Sequence, residues 1–226
     1  MKYVYFPGCC IHGSGRHCEE ALFAVFEKLG IELEELPDWN CCGSTVYLAI
    51  DEPSMFALAA RNLALTQKLG EKELFTPCAG CFLALHKTND YLAQYPKLAE
   101  KVHRALAAVG LEYNGQVQVR HLVDILVNDY GLERLQSQVV RKLEGLRVVP
   151  YYGCQFIRPY PVFDDVYSPT SMDRLLECLG AEVVPYPLKT RCCGGPLAGM
   201  VGEVGYRLNY LLLKEAKRRN ADLVVT

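Results

Sequence analysis

The sequence predicts an α/β protein of 226 residues, made of two pseudo-symmetric halves that each contain a parallel sheet. The first supporting observation is an internal repeat, in which Gly8-Cys9 matches Gly153-Cys154 and two Cys-Cys-Gly triplets coincide. The second is the alternation of short β-branched or aromatic segments with segments of helical periodicity. The third is that cysteines directly follow predicted strands, where parallel α/β folds bind their ligands.

The first half begins with a predicted strand from Lys2 to Phe6, which is mostly aromatic and β-branched. The segment CEEALFAVFEKLG then predicts a helix that ends at Gly30, with apolar residues at helical spacing at Ala21, Leu22, Val25, Phe26 and Leu29. IELEEL predicts the second strand, and a helix is expected from about Pro53 to Leu69. KELFT predicts a third strand, which leads to Cys78.

The second half repeats this Rossmann-like plan, with predicted strands at Arg147 to Tyr151 and in ADLVVT. Residues 82–144 are predicted to be mostly helical, with QVQVR as a candidate strand. The predicted domains are a first unit at 1–81, a mainly helical connection at 82–145 and a second unit at 146–226. Thr76 precedes a Cys-x2-Cys pair and its counterpart is Thr226, so we expect the natural protein to have further cysteines near positions 228 and 231.

Composition argues against several classes of protein. The net charge of −2 provides no basic surface for nucleic acid. The opening MKYVYFPGCC has too few apolar residues for a signal peptide. No apolar run approaches the roughly 18 residues that a membrane-spanning helix needs. We therefore expect a cytoplasmic protein that binds no nucleic acid and has no membrane span.

The 11 cysteines indicate metal binding or redox activity. Clustered cysteines in a reducing compartment have these functions more often than they form structural disulfides. The first half has the pattern C-x31-CC-x35-C-x2-C, formed by Cys9, Cys41, Cys42, Cys78 and Cys81. The second half has C-x37-CC, formed by Cys154, Cys192 and Cys193. Thiolates are soft ligands that suit zinc, copper(I) and iron–sulfur clusters. These residues are therefore the candidate metal ligands.

The Cys-Cys and Cys-x2-Cys motifs require particular backbone conformations if their thiols are to serve one centre. Adjacent cysteines on a regular strand point to opposite faces, so a pair that serves one centre needs a bend, which Gly43 and the pair Gly194-Gly195 can provide. A Cys-x2-Cys pair on a tight turn directs both sulfurs at one centre, and Gly80 makes that turn easier. Structural zinc and an ordinary cubane cluster each take four ligands. The first half offers five, so the spacing leaves open either a bystander cysteine or an unusual cluster that uses all five.

Three cysteines and two loop histidines lie outside these patterns, namely Cys10, Cys18, Cys178, His12 and His17. Cys18 and Cys178 lie in predicted helices and are interpreted as small buried core residues. The role of Cys10 is left open, and the two histidines are interpreted as solvated.

These motifs identify a resemblance. The chain resembles the CCG-domain family, specifically the B subunit of heterodisulfide reductase and its bacterial and archaeal relatives. The motif of that family is C-x(31–39)-CC-x(35–36)-C-x2-C, which the first half matches completely and the second half matches up to the final pair. The opening YFPGC is also similar to that of the stand-alone subunit.

The resemblance implies that each motif holds a non-cubane 4Fe-4S cluster, the first at Cys9, Cys41, Cys42, Cys78 and Cys81, and the second with ligands from Cys154, Cys192 and Cys193. It implies a catalytic subunit that reduces a small disulfide, or oxidises thiols, at cluster iron and without a catalytic side chain. It also implies two partners, a flavin-containing A-like subunit and a C-like subunit with ordinary 4Fe-4S clusters, and no FAD in this subunit.

Two alternatives stay open. The cysteines could bind zinc or clusters in a scaffold or electron-transfer subunit of an oxidoreductase, such as a succinate, glycolate or lactate dehydrogenase-like complex. A thioredoxin-like dithiol exchanger would use Cys78 and Cys81 alone, but it leaves the duplicated Cys-Cys-Gly triplets unexplained.

Overall fold

The computed structural model describes residues 1–11, 13–44 and 46–226, with only the backbone described at Val46. The chain divides into two compact units, Met1–Leu122 and Val123–Thr226. The three-part division at residues 81 and 145 stays a prediction. Within the described ranges, no helix combines the length and the apolar character that crossing a bilayer requires.

The first unit contains one four-stranded parallel sheet with the strand order β2-β1-β3-β4. Its strands are β1 (Lys2–Tyr5), β2 (Glu32–Glu35), β3 (Glu73–Thr76) and β4 (Gln118–His121). Its helices are α1 (Arg16–Leu29), α2 (Val46–Ile50), α3 (Glu52–Lys68), α4 (Ala79–Gln94) and α5 (Pro96–Ala107). The central strands carry aromatic residues that are fully buried, among them Tyr5 and Phe75.

Helix α1 presents a narrower apolar face to the core than its sequence predicts. Leu22, Phe26 and Leu29 are buried, as expected for residues that recur at helical spacing. Ala21 and Val25 are exposed. They follow the same spacing, but they lie on the adjacent side of the helix, away from the line that Leu22, Phe26 and Leu29 form.

Helix α3 begins and ends at residues that suit these positions. The Asp51 side chain accepts a hydrogen bond from the Ser54 backbone N–H at 3.3 Å, and Pro53 occupies the first turn. After the helix, Gly70 adopts a φ of 82°. Its repeat counterpart, Asn220, also has a left-handed backbone, with a φ of 53°. Glycine and asparagine are the residues that adopt this conformation most readily, so the two repeats end their helices in the same way.

The second unit contains a three-stranded parallel sheet with the order β6-β5-β7. Its strands are β5 (Arg147–Pro150), β6 (Glu182–Val183) and β7 (Leu223–Val225). A helical stretch precedes the sheet and consists of α6 (Leu122–Asp124), a π-helical segment (Ile125–Gly131) and α7 (Leu132–Ser137). Helix α8 (Ser171–Cys178), a 3-10 turn (Gly195–Leu197) and α9 (Gly202–Arg218) complete the unit. The predicted α/β class with two parallel sheets is confirmed.

Candidate metal centre

The cysteines of the first unit lie where neighbouring parallel strands end. Cys9 follows β1 and Cys78 follows β3, and these two strands pair directly. Parallel strands end at the same edge of a sheet, so the two loops start side by side. Gly8 has a φ of 76°, and a Cβ atom there would lie 2.7 Å from Cys81 Sγ. Only glycine therefore fits where the chain passes Cys81 on its way to Cys9.

The two adjacent cysteines, Cys41 and Cys42, direct their thiols to different partners. Cys41 is exposed, and its Sγ lies 3.6 Å from Cys9 Sγ. Cys42 is buried, and its Sγ lies 3.4 Å from Cys81 Sγ. The next residue, Gly43, has a φ of 75°, so the predicted bend is present. Burial raises the pKa of Cys41 to about 11. A hydrogen bond with Cys81 lowers the pKa of Cys42.

The Cys-x2-Cys pair lies at the start of a helix, and the prediction of a tight turn was wrong. Cys78 is the N-cap of α4, so Gly80 and Cys81 belong to its first turn. Helical geometry places residues three apart on one face, which brings the two thiols together without a turn. A hydrogen bond with Cys81, supported by the backbone N–H groups of Cys81 and Gly80, lowers the pKa of Cys78 to about 6. The pKa of Cys81 is raised by its hydrogen bonds with Cys42 and Cys78.

The five free thiols thus lie at one edge of the sheet in two contacting groups, Cys9 with Cys41, and Cys42 with Cys81 and Cys78. In the part of the chain that the structure describes, no three His, Cys, Asp or Glu side chains are placed so that they could hold a single metal ion. A set of soft thiolates that is spread over several ångströms fits the chemistry of a multi-iron cluster.

The second unit brings together the three remaining candidate ligands. Cys154 follows β5, and burial raises its pKa, with the charge and a hydrogen bond of Cys192 adding to that effect. The backbone N–H groups of Gly194 and Gly195 donate to the Sγ atoms of Cys192 and Cys193, each at 3.3 Å. These two donors hold both sulfurs in fixed positions at the bend.

The residues outside the motifs are placed as follows. Cys10 and Cys18 are exposed, so the prediction of a buried Cys18 was wrong: it lies in the first turn of α1, one turn before Leu22, the first buried residue of that helix. Cys178 is half-buried, with its Sγ 3.1 Å from the Leu132 carbonyl oxygen. His17 is exposed, as predicted. His12 lies outside the described residues.

Sequence reasoning missed the residues of α3 that hold the loop before Cys41. Asn62 is fully buried and exchanges two hydrogen bonds with the backbone of Asn40. Arg61 donates to the Asp38 carbonyl oxygen at 2.6 Å. A polar residue among the apolar positions of α3, where the second repeat has Leu212, was the available signal in the sequence.

His121, at the end of β4, predicts a pH dependence of stability. It is buried, and burial lowers its pKa to about 3, partly offset by a hydrogen bond with the Pro77 carbonyl. As pH falls below about 6.5, the unfolded chain gains this proton and the folded chain does not, so stability decreases. We expect that this effect lowers the free energy of unfolding by about 2 kcal/mol between about pH 7.5 and pH 5.

Urea unfolding of the wild type and of His121→Leu at both pH values measures this effect. The variant is destabilised, but the difference between the two proteins should shrink by about 2 kcal/mol at the lower pH. His103→Gln is the control, because His103 is exposed. A difference that stays constant with pH would contradict the prediction.

Tyr152 is expected to stabilise the loop that carries Cys154 by capping α8. Its hydroxyl accepts from the Met172 N–H at 2.8 Å and the Asp173 N–H at 3.0 Å, and donates to Asp173 Oδ2 at 2.5 Å. Tyr152→Phe leaves two N–H groups of the first turn without this acceptor, which should lower the free energy of unfolding by about 1 to 3 kcal/mol. Urea unfolding measures the loss, with the exposed Tyr167 changed to Phe as the control. Equal effects of the two substitutions would rule out the cap.

Both repeats match a known family of domains. The cysteine-rich domain called CCG matches residues 3–86 and 148–226. The matched segments contain all eight candidate ligands. A likeness to a solved structure, a hypothetical protein from Helicobacter pylori, has a TM-score of 0.70 at 15% identity and covers 99% of this chain and 40% of that chain. At this low identity the likeness shows the fold alone.

Three curated relatives are similar over nearly the whole chain. A protein of Archaeoglobus profundus, named as similar to the B subunit of heterodisulfide reductase, is 33% identical over 233 residues, covering 100% of this chain and 78% of the relative. The B subunit of the ferredoxin/F(420)H(2)-dependent CoB-CoM heterodisulfide reductase of Methanosarcina acetivorans is 31% identical over 225 residues, covering 98% and 74%. The membrane anchor subunit of the 8-methylmenaquinol:fumarate reductase of Wolinella succinogenes is 29% identical over 227 residues, covering 100% and 78%.

The family match includes both repeats, and the similarity to the Archaeoglobus relative extends over the full chain. The cysteine spacing that indicated the resemblance lies within the matched segments. The chain therefore belongs to the cysteine-rich CCG domain family and is related to the B subunit of heterodisulfide reductase.

Proposed function

We propose that this chain is the catalytic iron–sulfur subunit of a heterodisulfide reductase-type complex, which reduces a disulfide or oxidises two thiols. The observation that carries the proposal is the set of five free thiols, in two contacting groups, at the carboxyl edge of the first sheet. The relatives named as heterodisulfide reductase subunits support it.

Each group of cysteines is proposed to bind a non-cubane 4Fe-4S cluster. The first would be held by Cys9, Cys41, Cys42, Cys78 and Cys81, and Cys154, Cys192 and Cys193 would contribute to the second. A bound cluster supplies single electrons and iron that accepts a sulfur ligand. Cys42 and Cys81 are buried, whereas Cys9 and Cys41 are exposed. A small substrate would therefore reach the first site from the side of Cys9 and Cys41.

The proposed reaction determines how many electrons and protons must be supplied. Reduction of one disulfide takes two electrons and two protons and releases two thiols. We propose that the electrons come through a flavin-containing A-like subunit and a C-like subunit with ordinary 4Fe-4S clusters. The protons come from solvent at the exposed side of the first site, near Cys9 and Cys41.

Metal analysis of anaerobically purified protein tests the proposal. We expect several iron atoms per chain with a matching amount of acid-labile sulfide, about four for each filled cluster. Broad visible absorbance should accompany the iron. Zinc without sulfide, or free thiols without metal, would overturn the cluster assignment and the disulfide chemistry that depends on it.

An electron-transfer role is the second candidate, and one observation favours it. The Wolinella relative is named as a subunit of a fumarate reductase, whose name specifies no disulfide substrate. Electron paramagnetic resonance of the loaded protein separates the two functions. A spectrum that changes when a thiol or disulfide is added supports substrate binding at the cluster. A spectrum that stays the same with every such compound supports electron transfer alone.

A further inference from the structure

We propose that Asn62 is a positioning residue that fixes the Cys41–Cys42 segment before any metal binds. Asn62 lies on α3 and is fully buried. Its Oδ1 accepts the Asn40 backbone N–H at 3.0 Å, and its Nδ2 donates to the Asn40 carbonyl oxygen at 2.9 Å. Two hydrogen bonds of opposite direction to one residue hold the peptide groups on both sides of Asn40, the second of which leads into Cys41.

The side chain of Asn40 strengthens this attachment. Its Nδ2 donates to the Cys41 carbonyl oxygen at 2.8 Å and to the Leu58 carbonyl oxygen of α3 at 3.0 Å. Arg61 also binds the loop, with Nη1 3.0 Å from Asn40 Oδ1. The backbone and the side chain of Asn40 are therefore both attached to one rigid helix, one residue before the first cysteine of the pair.

The loop requires such an attachment because no sheet ladder holds it. Residues 36–44, the described part of the segment between β2 and α2, have no regular secondary structure, and Asp38 among them has a left-handed φ of 56°. Cys42 is nevertheless buried, with its Sγ 3.4 Å from Cys81 Sγ. The position of that thiol depends on what the preceding loop is bound to, and Asn62 is a fully buried side chain that binds this loop.

Packing of α3 does not by itself explain an amide at this position. The repeat counterpart is Leu212, which is buried on α9, so an apolar side chain suits this place in the fold. A buried amide is costly unless its hydrogen bonds are made. In the second unit, the Cys192–Cys193 segment is attached differently, through the Tyr151 hydroxyl, which donates to the Arg191 carbonyl oxygen at 2.6 Å. The buried Asn62 amide thus serves the first Cys-Cys pair and has no counterpart at the equivalent position of the second repeat.

The test measures how fast an alkylating reagent modifies Cys42 in the metal-free full chain, with peptide mass spectrometry and with exposed Cys18 as the internal reference. Asn62→Leu introduces the residue of the second repeat, and Asn62→Asp keeps the acceptor but loses the N–H donors. We expect Asn62→Leu to raise the Cys42 rate about tenfold, because losing buried hydrogen bonds shifts local opening by about that factor. Asn62→Asp should also raise the rate, because one carboxylate oxygen can still accept the Asn40 N–H while the other faces the Asn40 carbonyl oxygen.

Thr66→Val is the matched control. Thr66 is equally buried one turn further along α3, and its hydroxyl donates to the Asn62 carbonyl oxygen within the helix at 3.0 Å, with no bond to the loop. Its Cys42 rate should change less than about twofold, even though it also loses a buried hydrogen bond. If the Cys42 rate in all three variants follows only their free energy of unfolding, Asn62 acts on stability alone and the positioning role is overturned.

The inference rests on the proposed function only where it concerns the cluster, and the two can fail separately. Wild-type protein without iron or sulfide would remove the cluster, while the alkylation result would still decide whether Asn62 fixes the cysteine segment. If the wild type does bind iron, Asn62→Leu should bind less of it and give an altered paramagnetic spectrum. An unchanged iron content and spectrum would show that the attachment does not serve ligand positioning.

Discussion

Cys42→Ser is expected to cause the largest loss of iron and sulfide among single substitutions in the first unit. Substituting a residue that only hydrogen-bonds to a metal ligand typically lowers the metal affinity about 10–100-fold. Removal of a ligand itself should therefore lower the iron content of the first site by more than about tenfold. Serine keeps the size of cysteine but offers a hard oxygen that stays protonated. Cys42 is buried against Cys81, so solvent thiols cannot readily replace it.

Iron and acid-labile sulfide per chain, measured after anaerobic purification, give the result. Cys18→Ser is the control, because Cys18 is exposed on α1 and lies outside both cysteine motifs. It should retain the wild-type content. A Cys42→Ser protein with wild-type iron and an unchanged spectrum would exclude Cys42 as a ligand and would reduce the first site to an ordinary set of four thiolates.

Local patterns in the sequence were sufficient for the fold. Short runs such as KYVY and ELFT are bounded by turn residues and separated by helical segments, and this order allows few arrangements other than parallel sheets. Cys9 and Cys78 could be placed at strand ends because each closely follows a predicted strand. That reasoning needs no knowledge of which side chains touch.

Contacts between distant residues were not predictable in this way. The Cys78–Cys81 pair starts a helix, but Pro77 and Gly80 favour a turn when the segment is considered alone. The helix forms because α4 packs its apolar side against the unit, which a local pattern does not report. Asn62 binds a loop residue that lies 22 positions earlier in the chain, and only the folded arrangement brings the two together.

Gly194→Ala is expected to cause the largest loss of stability among substitutions near the second cysteine pair. Gly194 has a φ of 76°, and a Cβ atom there would lie 2.8 Å from the Gly205 Cα of α9. The left-handed backbone costs a non-glycine residue about 1 to 2 kcal/mol, and crowding against backbone costs about 1 to 3 kcal/mol more. We therefore expect urea unfolding to show a loss of about 2 to 5 kcal/mol.

Two controls separate the causes. Gly70→Ala adds a side chain at a φ of 82° where nothing lies within 4 Å, so it should cost only the backbone strain of about 1 to 2 kcal/mol. Gly205→Ala would place a Cβ 2.9 Å from the Ala198 Cα in a helical backbone, so it isolates crowding. If Gly194→Ala lowers the free energy of unfolding no more than Gly70→Ala does, the chain after Cys193 can shift away from α9 at no cost and so avoid the contact with Gly205. Glycine would then be needed at position 194 only for the left-handed backbone of the bend. A larger loss would instead show that the close contact with α9 helps to hold Cys192 and Cys193 in place.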